Sequence, residues 1–299
     1  MIWCVGESLY DIVFLNGQPE WAVPGGSMLN AAVSAARFGE KVGLITELGN
    51  DEVGNLISGF LKKNGISLAK CHHYKGNTTL ALAFLNSSGD AHYQFYQHAP
   101  DLAPEFTIPD FSPGDVLLFG SFYSVKSRNR HNISGLAKAA RKAGAWVYYD
   151  PNFRRPHLEE LVNTLPYIRE NIAMADIVRG SDEDFNLIAA ATNSEEAYKF
   201  VLENGCKNFI YTKNKKGVDL IADGLTKHYD VPKVEVISTI GAGDSFNAGF
   251  ATALHHCNKK ELTETFWDHA IARAVIFASE VCRSRDNFIR PPGVDSIIL

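Results

Sequence analysis

The run Ser238–Phe246, with the sequence STIGAGDSF, combines residue types that could bind a phosphate and move a proton. Gly241 and Gly243 flank Ala242, so no large side chain would block a ligand that approaches the backbone. Apolar residues recur at helical spacing after the run, and the free amides of a helix's first turn favour an anion. Asp244 would repel that anion unless it has a task, such as accepting a proton from an attacking hydroxyl. The alternative is that Asp244 only caps the helix.

The elements around this run are predicted to be a strand, a tight turn and a helix. Val234–Ile237 is the apolar, strand-like segment that leads into it. A dinucleotide-binding fingerprint fits poorly, because Phe246 stands where its third glycine would be. A Walker phosphate loop fits no better, because no Gly-Lys-Ser/Thr follows the glycines.

Polar residues also follow other predicted strands, at the edge where open α/β sheets bind their ligands. Asp11 comes shortly after the buried strand Met1–Val5. A pair of glycines, Gly25 and Gly26, precedes a helix that should begin at Ser27 as its N-cap and present Asn30. We expect these side chains to face the same space as the Ser238–Phe246 run.

Two later strands deliver further polar groups to the same edge. The strand Trp146–Tyr149 leads to Asp150, Asn152 and Arg154. The strand around Ile177 leads to the run Gly180–Asp184, whose acidic and hydroxyl groups could hold a hydrated Mg²⁺. The alternative for that run is a helix N-terminus, where acidic residues are favoured anyway.

Two parts of the chain interrupt the alternation of strands and helices that predicts an α/β fold. Residues 12–23 contain an Asn-Gly turn between strand-like runs, and residues 70–98 contain a second hairpin with its turn at 86–90. Hairpins are not part of a βαβ fold, in which helices connect parallel strands. We therefore expect these segments to form a separate small sheet beside the main domain, as a lid or a dimer surface. No linker marks a boundary, and residues 1–299 are predicted to form a single domain.

The composition is typical of a soluble globular protein, since 45% of the 299 residues are hydrophobic and 21% are charged. The net charge of −5 does not indicate the basic surface with which proteins bind nucleic acid. No apolar run approaches about 20 residues and the start of the chain lacks a signal peptide's basic region, so no membrane partner is expected. Five scattered cysteines without a CxxC pair suggest reduced thiols and a cytoplasmic enzyme. The pairs His72–His73 and His255–His256 lack a third ligand at metal spacing and are expected to be surface or packing residues.

Together these motifs resemble those of the ribokinase-like (PfkB) family of carbohydrate kinases, essentially from end to end. The family's carboxyl-terminal signature, Asp-Thr-x-Gly-Ala-Gly-Asp-x-Phe, is similar to Ser238–Phe246 at every defined place but the first. Its amino-terminal signature, Gly-Gly followed by Asn-x-Ala, resembles residues Gly25–Ala32, and Gly49–Gly54 looks like its Gly-x-Asp-x-x-Gly element. Asp150–Arg154 resembles the Asp-x-Asn-x-Arg element of fructokinase and ketodeoxygluconate kinase members.

The resemblance implies a three-layer α/β/α domain with a mainly parallel central sheet and a small β-sheet lid. It implies transfer of the γ-phosphoryl group of ATP to a sugar hydroxyl, with Asp244 as the base and Mg²⁺ as the metal. The other residues that it assigns are Gly241, Ala242 and Gly243 for the anion hole; Asp11, Gly25, Gly26, Asn30, Asn152 and Arg154 for the sugar; Thr212, Gly217, Gly243 and Asn287 for the nucleotide; and Asp184 for magnesium, through water.

Several positions depart from the family pattern. Ser238 replaces an Asp that helps to hold a monovalent cation in many relatives, so a K⁺ requirement stays open. Ser181 and Asn214 stand where an Asn of the magnesium motif and a glycine of the nucleotide turn are usual. Gln97 replaces an Arg of many fructokinase-like members, which leaves the choice of sugar open.

The predicted function is therefore an ATP-dependent sugar kinase, most similar to a fructokinase. Kinases of the same fold for 2-keto-3-deoxygluconate, ribose or a nucleoside are alternatives, the last with Trp21, Phe95 and Tyr96 around the base. A non-catalytic sugar-sensing relative is a further alternative, which the changes at Ser238 and Asn214 would fit. An exposed small sheet needs cover, so a homodimer through the lid sheet is expected.

Overall fold

A computed structural model describes residues 1–85, 91–97, 100, 102–222, 224–259 and 261–291. The turn predicted at residues 86–90 lies outside these ranges. The strands are, in chain order, β1 Ile2–Val5, β2 Leu9–Leu15, β3 Gln18–Gly25, β4 Val42–Ile45, β5 Glu47–Gly49, β6 His72–Tyr74, β7 Leu80–Leu85, β8 Ala91–Tyr96, β9 Val116–Gly120, β10 Trp146–Asp150, β11 Ile177–Ser181, β12 Asn208–Thr212, β13 Val218–Ala222 and β14 Leu225–Tyr229. The α-helices are α1 Ser27–Phe38, α2 Glu52–Lys63, α3 Arg130–Lys142, α4 Leu161–Met174, α5 Asp182–Ala189, α6 Ser194–Glu203, α7 Ala242–His255 and α8 Glu264–Cys282.

The main sheet has eight strands in the order β14-β13-β12-β11-β10-β9-β1-β4. Pairing is parallel from β4 to β12, and β13 and β14 extend that edge as an antiparallel hairpin. Strands such as β1 and β9 are buried along their whole length, because helices cover both faces of a parallel sheet. The carboxyl ends of the parallel strands therefore share one edge.

Helices pack on the two faces of this sheet, as alternating side chains along each strand show. Cys4 and Tyr148 belong to a core formed with α1, α2, α7 and α8. Their neighbours Val5 and Tyr149 belong to the opposite core, formed with α3, α4, α5 and α6. The predicted three-layer α/β/α architecture is confirmed.

A second, four-stranded sheet has the order β3-β2-β7-β8, in which β2 and β7 are parallel and the outer pairs are antiparallel. It begins at Leu9, earlier than the predicted residue 12. Residues 70–78 do not join it, because His72–Tyr74 pairs with Glu47–Gly49 in a separate two-stranded sheet. Thr78 explains the difference, since its N–H and hydroxyl donate to the Asp51 carboxylate, at 2.9 and 2.6 Å, and tie this segment to the start of α2.

The strand predicted at Val234–Ile237 is absent, and that prediction was wrong. These residues run outside the sheet as an irregular segment, with Val236 and Ile237 more than half exposed. The Ile237 N–H donates to the Cys282 carbonyl at the end of α8, not to a neighbouring strand. The prediction rested on apolar composition alone. The main sheet ends at β14, and in the described part of the chain Val234–Ile237 has no strand beside it with which to pair.

Candidate active site

The Asp244 carboxylate is held from outside its own helix. Asp244 lies in the first turn of α7 and is 7% exposed. Its oxygens accept hydrogen bonds from Ser27 Oγ at 2.6 Å, Asn30 Nδ2 at 2.9 Å and, more weakly, Asn152 Nδ2 at 3.4 Å. The N-cap of α7 is Gly241, which has no side chain to cap the helix. The described contacts therefore contradict the alternative that Asp244 serves only as a cap.

Ser27 was predicted as the N-cap of α1, and this prediction was wrong. The cap is Gly26, and Ser27 is the first residue of the helix. Its hydroxyl donates to Asp244 and accepts from Asn152 Nδ2 at 2.7 Å. Ser27 is thus a site residue that the sequence analysis did not assign, because a serine at a helix start has an ordinary structural explanation.

Burial raises the pKa of Asp244 above its ordinary value. The hydrogen bonds from Ser27 and Asn30 and the charge of Arg154 act in the opposite direction, and the charge of Asp150 adds to the rise. A carboxylate whose pKa lies above the usual range is a better proton acceptor than an exposed aspartate. Asp244 therefore has the environment of a general base.

Asp11 lies near enough to Asp244 for the two charges to interact. Burial, followed by the charge of Asp244, raises the pKa of Asp11 to about 7. Asp11 comes from β2 of the small sheet, so this sheet contributes a carboxyl group beside the helix of the main domain. Gly25 permits the arrangement, because a Cβ atom there would lie 2.0 Å from Asp11 Oδ2. The structure thus brings together Asp11, Gly25, Asn30 and Asp244 from the predicted set.

Gly241 forms the turn before α7 with a left-handed φ of 79°. A Cβ atom there would lie 2.1 Å from the Asn287 carbonyl oxygen, so both backbone conformation and space require glycine. The Ala242 N–H donates to the Thr239 carbonyl at 3.3 Å, so this amide is bonded within the loop. The amides that follow it, at residues 243 and 244, are the first-turn donors with no partner inside the helix.

A buried ion pair lies directly behind this turn. Arg179 Nη1 donates to Asp150 Oδ2 at 2.8 Å, and Nη2 donates to Thr212 Oγ1 at 2.6 Å. Asn247 Nδ2 donates to the same Asp150 oxygen at 2.6 Å. A Cβ atom on Gly243 would lie 3.2 Å from Arg179 Nη1, so the guanidinium is close to the proposed anion hole. Burial lowers the pKa of Arg179, but Asp150 and Asp184 raise it more, and the group stays charged.

Arg179 and Asn247 are also residues that the sequence analysis missed. A signal was available for Arg179, because a charged residue stands inside the apolar strand Ile177–Ser181. Buried charges are rare unless they are paired, and such a residue predicts a partner nearby. Asn247 lies one residue beyond the predicted signature and carries no comparable signal.

Asp184 does not present a free carboxylate. Its Oδ1 accepts from the Phe153 N–H at 2.6 Å, and its Oδ2 accepts from the N–H and the hydroxyl of Ser181. The Ser181 hydroxyl also accepts a hydrogen bond from the Asp184 N–H. These bonds together form a capping box at the start of α5. The helix-terminus alternative accounts for these contacts, and Asp184 is not suited to ligate Mg²⁺ directly.

The remaining predicted residues lie at the same edge of the sheet in different surroundings. Thr212 ends β12, where its hydroxyl holds Arg179. Gly217 follows a short 3₁₀ turn and packs against the Tyr229 carbonyl, which a Cβ atom would approach to 2.5 Å. Arg154 is exposed, and Asn287 is buried beside Gly241. Their ligand-binding roles stay predictions.

A family model described as "pfkB family carbohydrate kinase" matches residues 1–287. The chain belongs to the PfkB family of carbohydrate kinases. This confirms the predicted resemblance and the enzyme class: the protein is a phosphotransferase that acts on a sugar hydroxyl. Within the ranges that the structure describes, no helix is long and apolar enough to cross a bilayer.

Relatives of this PfkB kinase include enzymes with different acceptors. An aminoimidazole riboside kinase from Salmonella typhimurium is 25% identical over 285 residues, which cover 94% of this chain and 87% of that protein. A fructokinase from Escherichia coli is 28% identical over 257 residues, which cover 85% and 84%. Similarity to both kinds of enzyme shows a sugar kinase without fixing its sugar.

Solved structures of PfkB kinases share the fold. The Salmonella enterica aminoimidazole riboside kinase, in complex with aminoimidazole riboside and an ATP analogue, has a TM-score of 0.85 at 23% identity and covers 97% of this chain and 96% of its own. The Vibrio cholerae fructokinase bound to fructose, ADP and calcium has a TM-score of 0.85 at 19% identity, covering 96% and 94%. Likeness at this level of identity establishes the fold.

Ser27→Ala should shift the acidic limb of the kcat/KM profile upwards by about one to two pH units. The hydroxyl donates to the charged form of Asp244, such a bond contributes about 1.5–3 kcal/mol, and one pKa unit corresponds to about 1.4 kcal/mol. Loss of this bond raises the pKa of Asp244, which must be deprotonated to act as the predicted base. Ser34→Ala is the matched control, because Ser34 lies on the same helix but bonds to Ser245. An unchanged limb in Ser27→Ala would contradict the assignment of Asp244 as the base.

Proposed function

We propose that the protein transfers the γ-phosphoryl group of ATP to a hydroxyl of a neutral sugar, with fructose as the favoured acceptor. The observation that carries the proposal is the Asp244 carboxylate, buried at the N-terminus of α7 and held by Ser27 and Asn30 opposite Asp11. A helix cap would not need these partners, and a sugar-sensing protein would have little use for a carboxylate beside an anion site. The non-catalytic alternative is therefore disfavoured.

The chemistry follows from the positions of these groups. A sugar hydroxyl placed between Asp11 and Asp244 donates its proton to Asp244 as its oxygen attacks the γ-phosphorus in line. The free amides of Gly243 and Asp244 and the dipole of α7 stabilise charge on the transferring group. Arg179 adds a fixed positive charge behind Gly243. Catalysis in this scheme rests mainly on positioning and electrostatics.

The nucleotide is proposed to lie along the loops that contain Thr212, Gly217, Gly243 and Asn287. Support comes from PfkB structures that contain an ATP analogue or ADP. Mg²⁺ bound to the phosphates would neutralise their charge. Both carboxylate oxygens of Asp184 already accept hydrogen bonds, so this residue could contact the ion only through water. Potassium is not part of the proposal, because Ser238 supplies no charge and its Oγ accepts from the Ile240 N–H.

The charge of the acceptor site favours a neutral sugar. Asp11 and Asp244 both face the proposed acceptor position, and an anionic substrate such as 2-keto-3-deoxygluconate would be repelled by them. The Asn30 Oδ1 atom is buried without a hydrogen-bond partner among the described residues, and it could accept from a sugar hydroxyl. For a nucleoside, Trp21 would have to contact the base, but its ring is covered by Arg285 at 5.5 Å. The Trp21 contact therefore disfavours a riboside, whose base would need this ring.

Asp244→Asn should lower kcat by about 10²-fold or more while sugar and ATP affinities change little, because the amide cannot accept the proton. The measurement is a coupled assay of ADP release, with calorimetry for binding. Glu183→Gln is a matched control, because this exposed acid lies at a neighbouring helix start and makes no described contact with Asp244. Substantial turnover in Asp244→Asn would refute the proposed role.

A panel of acceptors tests the substrate. Fructose should give the highest kcat/KM, ribose and aminoimidazole riboside lower values, and 2-keto-3-deoxygluconate the lowest, because it brings a negative charge beside two carboxyl groups. A preference for aminoimidazole riboside would instead assign the acceptor of the Salmonella relative. Binding of sugars without turnover of any of them would favour the sensing alternative.

We further propose that the small sheet covers the acceptor site and pairs with its copy in a homodimer. Its strands β7 and β8 carry exposed apolar side chains, including Phe84, Phe95 and Tyr96, and Phe84 stacks on Phe14 of β2 with ring centres 4.9 Å apart. Phe84→Glu should convert the dimer to a monomer in light scattering. Val162→Glu, at an exposed apolar residue of α4 in the main domain, should leave the mass unchanged. A monomeric unmodified protein would rule the dimer out.

A further inference from the structure

The edge of the main sheet opposite the active site contains a group of one carboxylate and two imidazoles. Glu40 Oε2 lies 3.0 Å from His255 Nδ1, and Glu40 Oε1 lies 2.8 Å from His256 Nε2. One ligand atom from each of the three residues lies within 4.8 Å of the other two. The sequence indicated no third ligand for this histidine pair, because Glu40 is far from it along the chain. The fold supplies that ligand.

Two helix ends create the group. Glu40 follows the left-handed Gly39 that ends α1, and the Glu40 N–H is fixed by the Ala35 carbonyl. His255 is the last residue of α7, and His256 is its C-cap. Both helices therefore point the negative end of their dipole, and their last carbonyl groups, towards this place. This polarity favours a cation and is independent of the three side chains.

We propose that Glu40, His255 and His256 form a binding site for Zn²⁺ or a similar divalent transition-metal ion, with water as the fourth ligand. Imidazole nitrogen and carboxylate oxygen are common zinc ligands, and three protein ligands with one open position is a known pattern. Bonds of about 2.0–2.2 Å in a tetrahedron would separate neighbouring ligand atoms by about 3.3–3.5 Å. The two observed contacts need to open by about half an ångström, which side-chain rotation can supply. The His256 side chain is 64% exposed, so water can reach the open position.

The surrounding charges must be compatible with a bound cation. Arg273 lies near enough to Glu40 to interact electrostatically, and it opposes a metal ion. Its guanidinium is directed over the Phe38 ring, at 5.4 Å, and makes no described ion pair with Glu40. The Met1 amino group lies 2.5 Å from His255 Nε2 and also contacts Asp115. When a metal takes Nδ1, Nε2 carries the ring proton, so the amino group turns from His255 to Asp115, to which it already donates.

A metal ion here would link two helices that also build the active site. The N-terminal part of α1 carries Ser27 and Asn30, and the N-terminal turn of α7 carries Asp244, which they bind. Occupancy would fix the opposite ends of the same two helices to each other. The site is thus expected to stabilise the fold, and it does not depend on the proposed sugar or on phosphoryl transfer.

The test is a titration of the untagged full-length chain with Zn²⁺ alone, in the absence of nucleotide, by calorimetry and by thermal unfolding. We expect one equivalent to bind and the melting temperature to rise, because the ion binds only the folded state. His256→Ala and Glu40→Gln should each weaken binding by about 100-fold, since even the loss of an outer-sphere partner costs 10–100-fold at a metal site. His256→Ala should not disturb folding, because this side chain is mostly exposed. Weaker zinc binding by this variant therefore reports on the site and not on loss of the fold.

His269→Ala is the matched control, because His269 lies beside His256 on the wall of a cavity of about 310 Å³ but is not in the ligand group. It should keep the affinity of the unmodified protein. Co²⁺ as a second probe should give a visible absorption band without thiolate charge transfer, which separates this site from the cysteines. Wild-type zinc affinity in both ligand variants, loss of binding in His269→Ala, or no binding by the unmodified chain would each overturn the proposal.

Discussion

Burial of the Asp244 carboxyl group is the constraint on which the rest of the site depends. An ionised group removed from water costs several kcal/mol unless hydrogen bonds replace its hydration. Ser27 and Asn30 supply most of that replacement, and both lie on α1. Packing of α1 against α7 is therefore part of the geometry of the proposed site, since without α1 the carboxylate would keep only the weak hydrogen bond from Asn152. The small residues of α1 permit the close approach that these short bonds need.

A buried ion pair also holds α7, one turn after Asp244. Asp150, at the end of β10, accepts from Arg179 on β11 and from Asn247 on α7. The carboxylate thus joins two strands of the main sheet to the helix that presents Asp244. Removal of either charge would leave the other buried without its partner, which costs more than the pair itself contributes. The same pair keeps a guanidinium behind Gly243, so the residues that order the sheet edge also shape the potential where a phosphate would lie.

The sequence predicted the architecture correctly, and it suggested most residues of the candidate site from their positions at the ends of strands. Strands buried on both faces read as continuous apolar runs, and ligands of such sheets meet at the carboxyl edge, so residue order alone was enough to group Asp11, Asn30, Asn152 and Asp244. What failed depended on partners distant in sequence. Val234–Ile237 has the composition of a strand but no neighbouring strand to pair with, and Ser27 has the identity of a cap but bonds a carboxylate 217 residues away. Glu40 and the histidines at 255 and 256 meet only because two helices end at the same place.

The small sheet contributes a second carboxyl group to the candidate site, that of Asp11 on β2. Burial of the Asp11 carboxyl group raises its pKa to about 7, and the charge of Asp244 adds to the rise, because two nearby carboxyl groups resist simultaneous ionisation. A sugar between them would donate hydroxyl protons to both groups and relieve this repulsion, whereas water would have to be ordered to do the same. Gly25 allows Asp11 to reach this position, because any side chain there would displace it. The contact of β2 with β3 would therefore help to set the proposed preference for a neutral sugar, and it would give the small sheet that interrupts the α/β pattern a role in substrate binding.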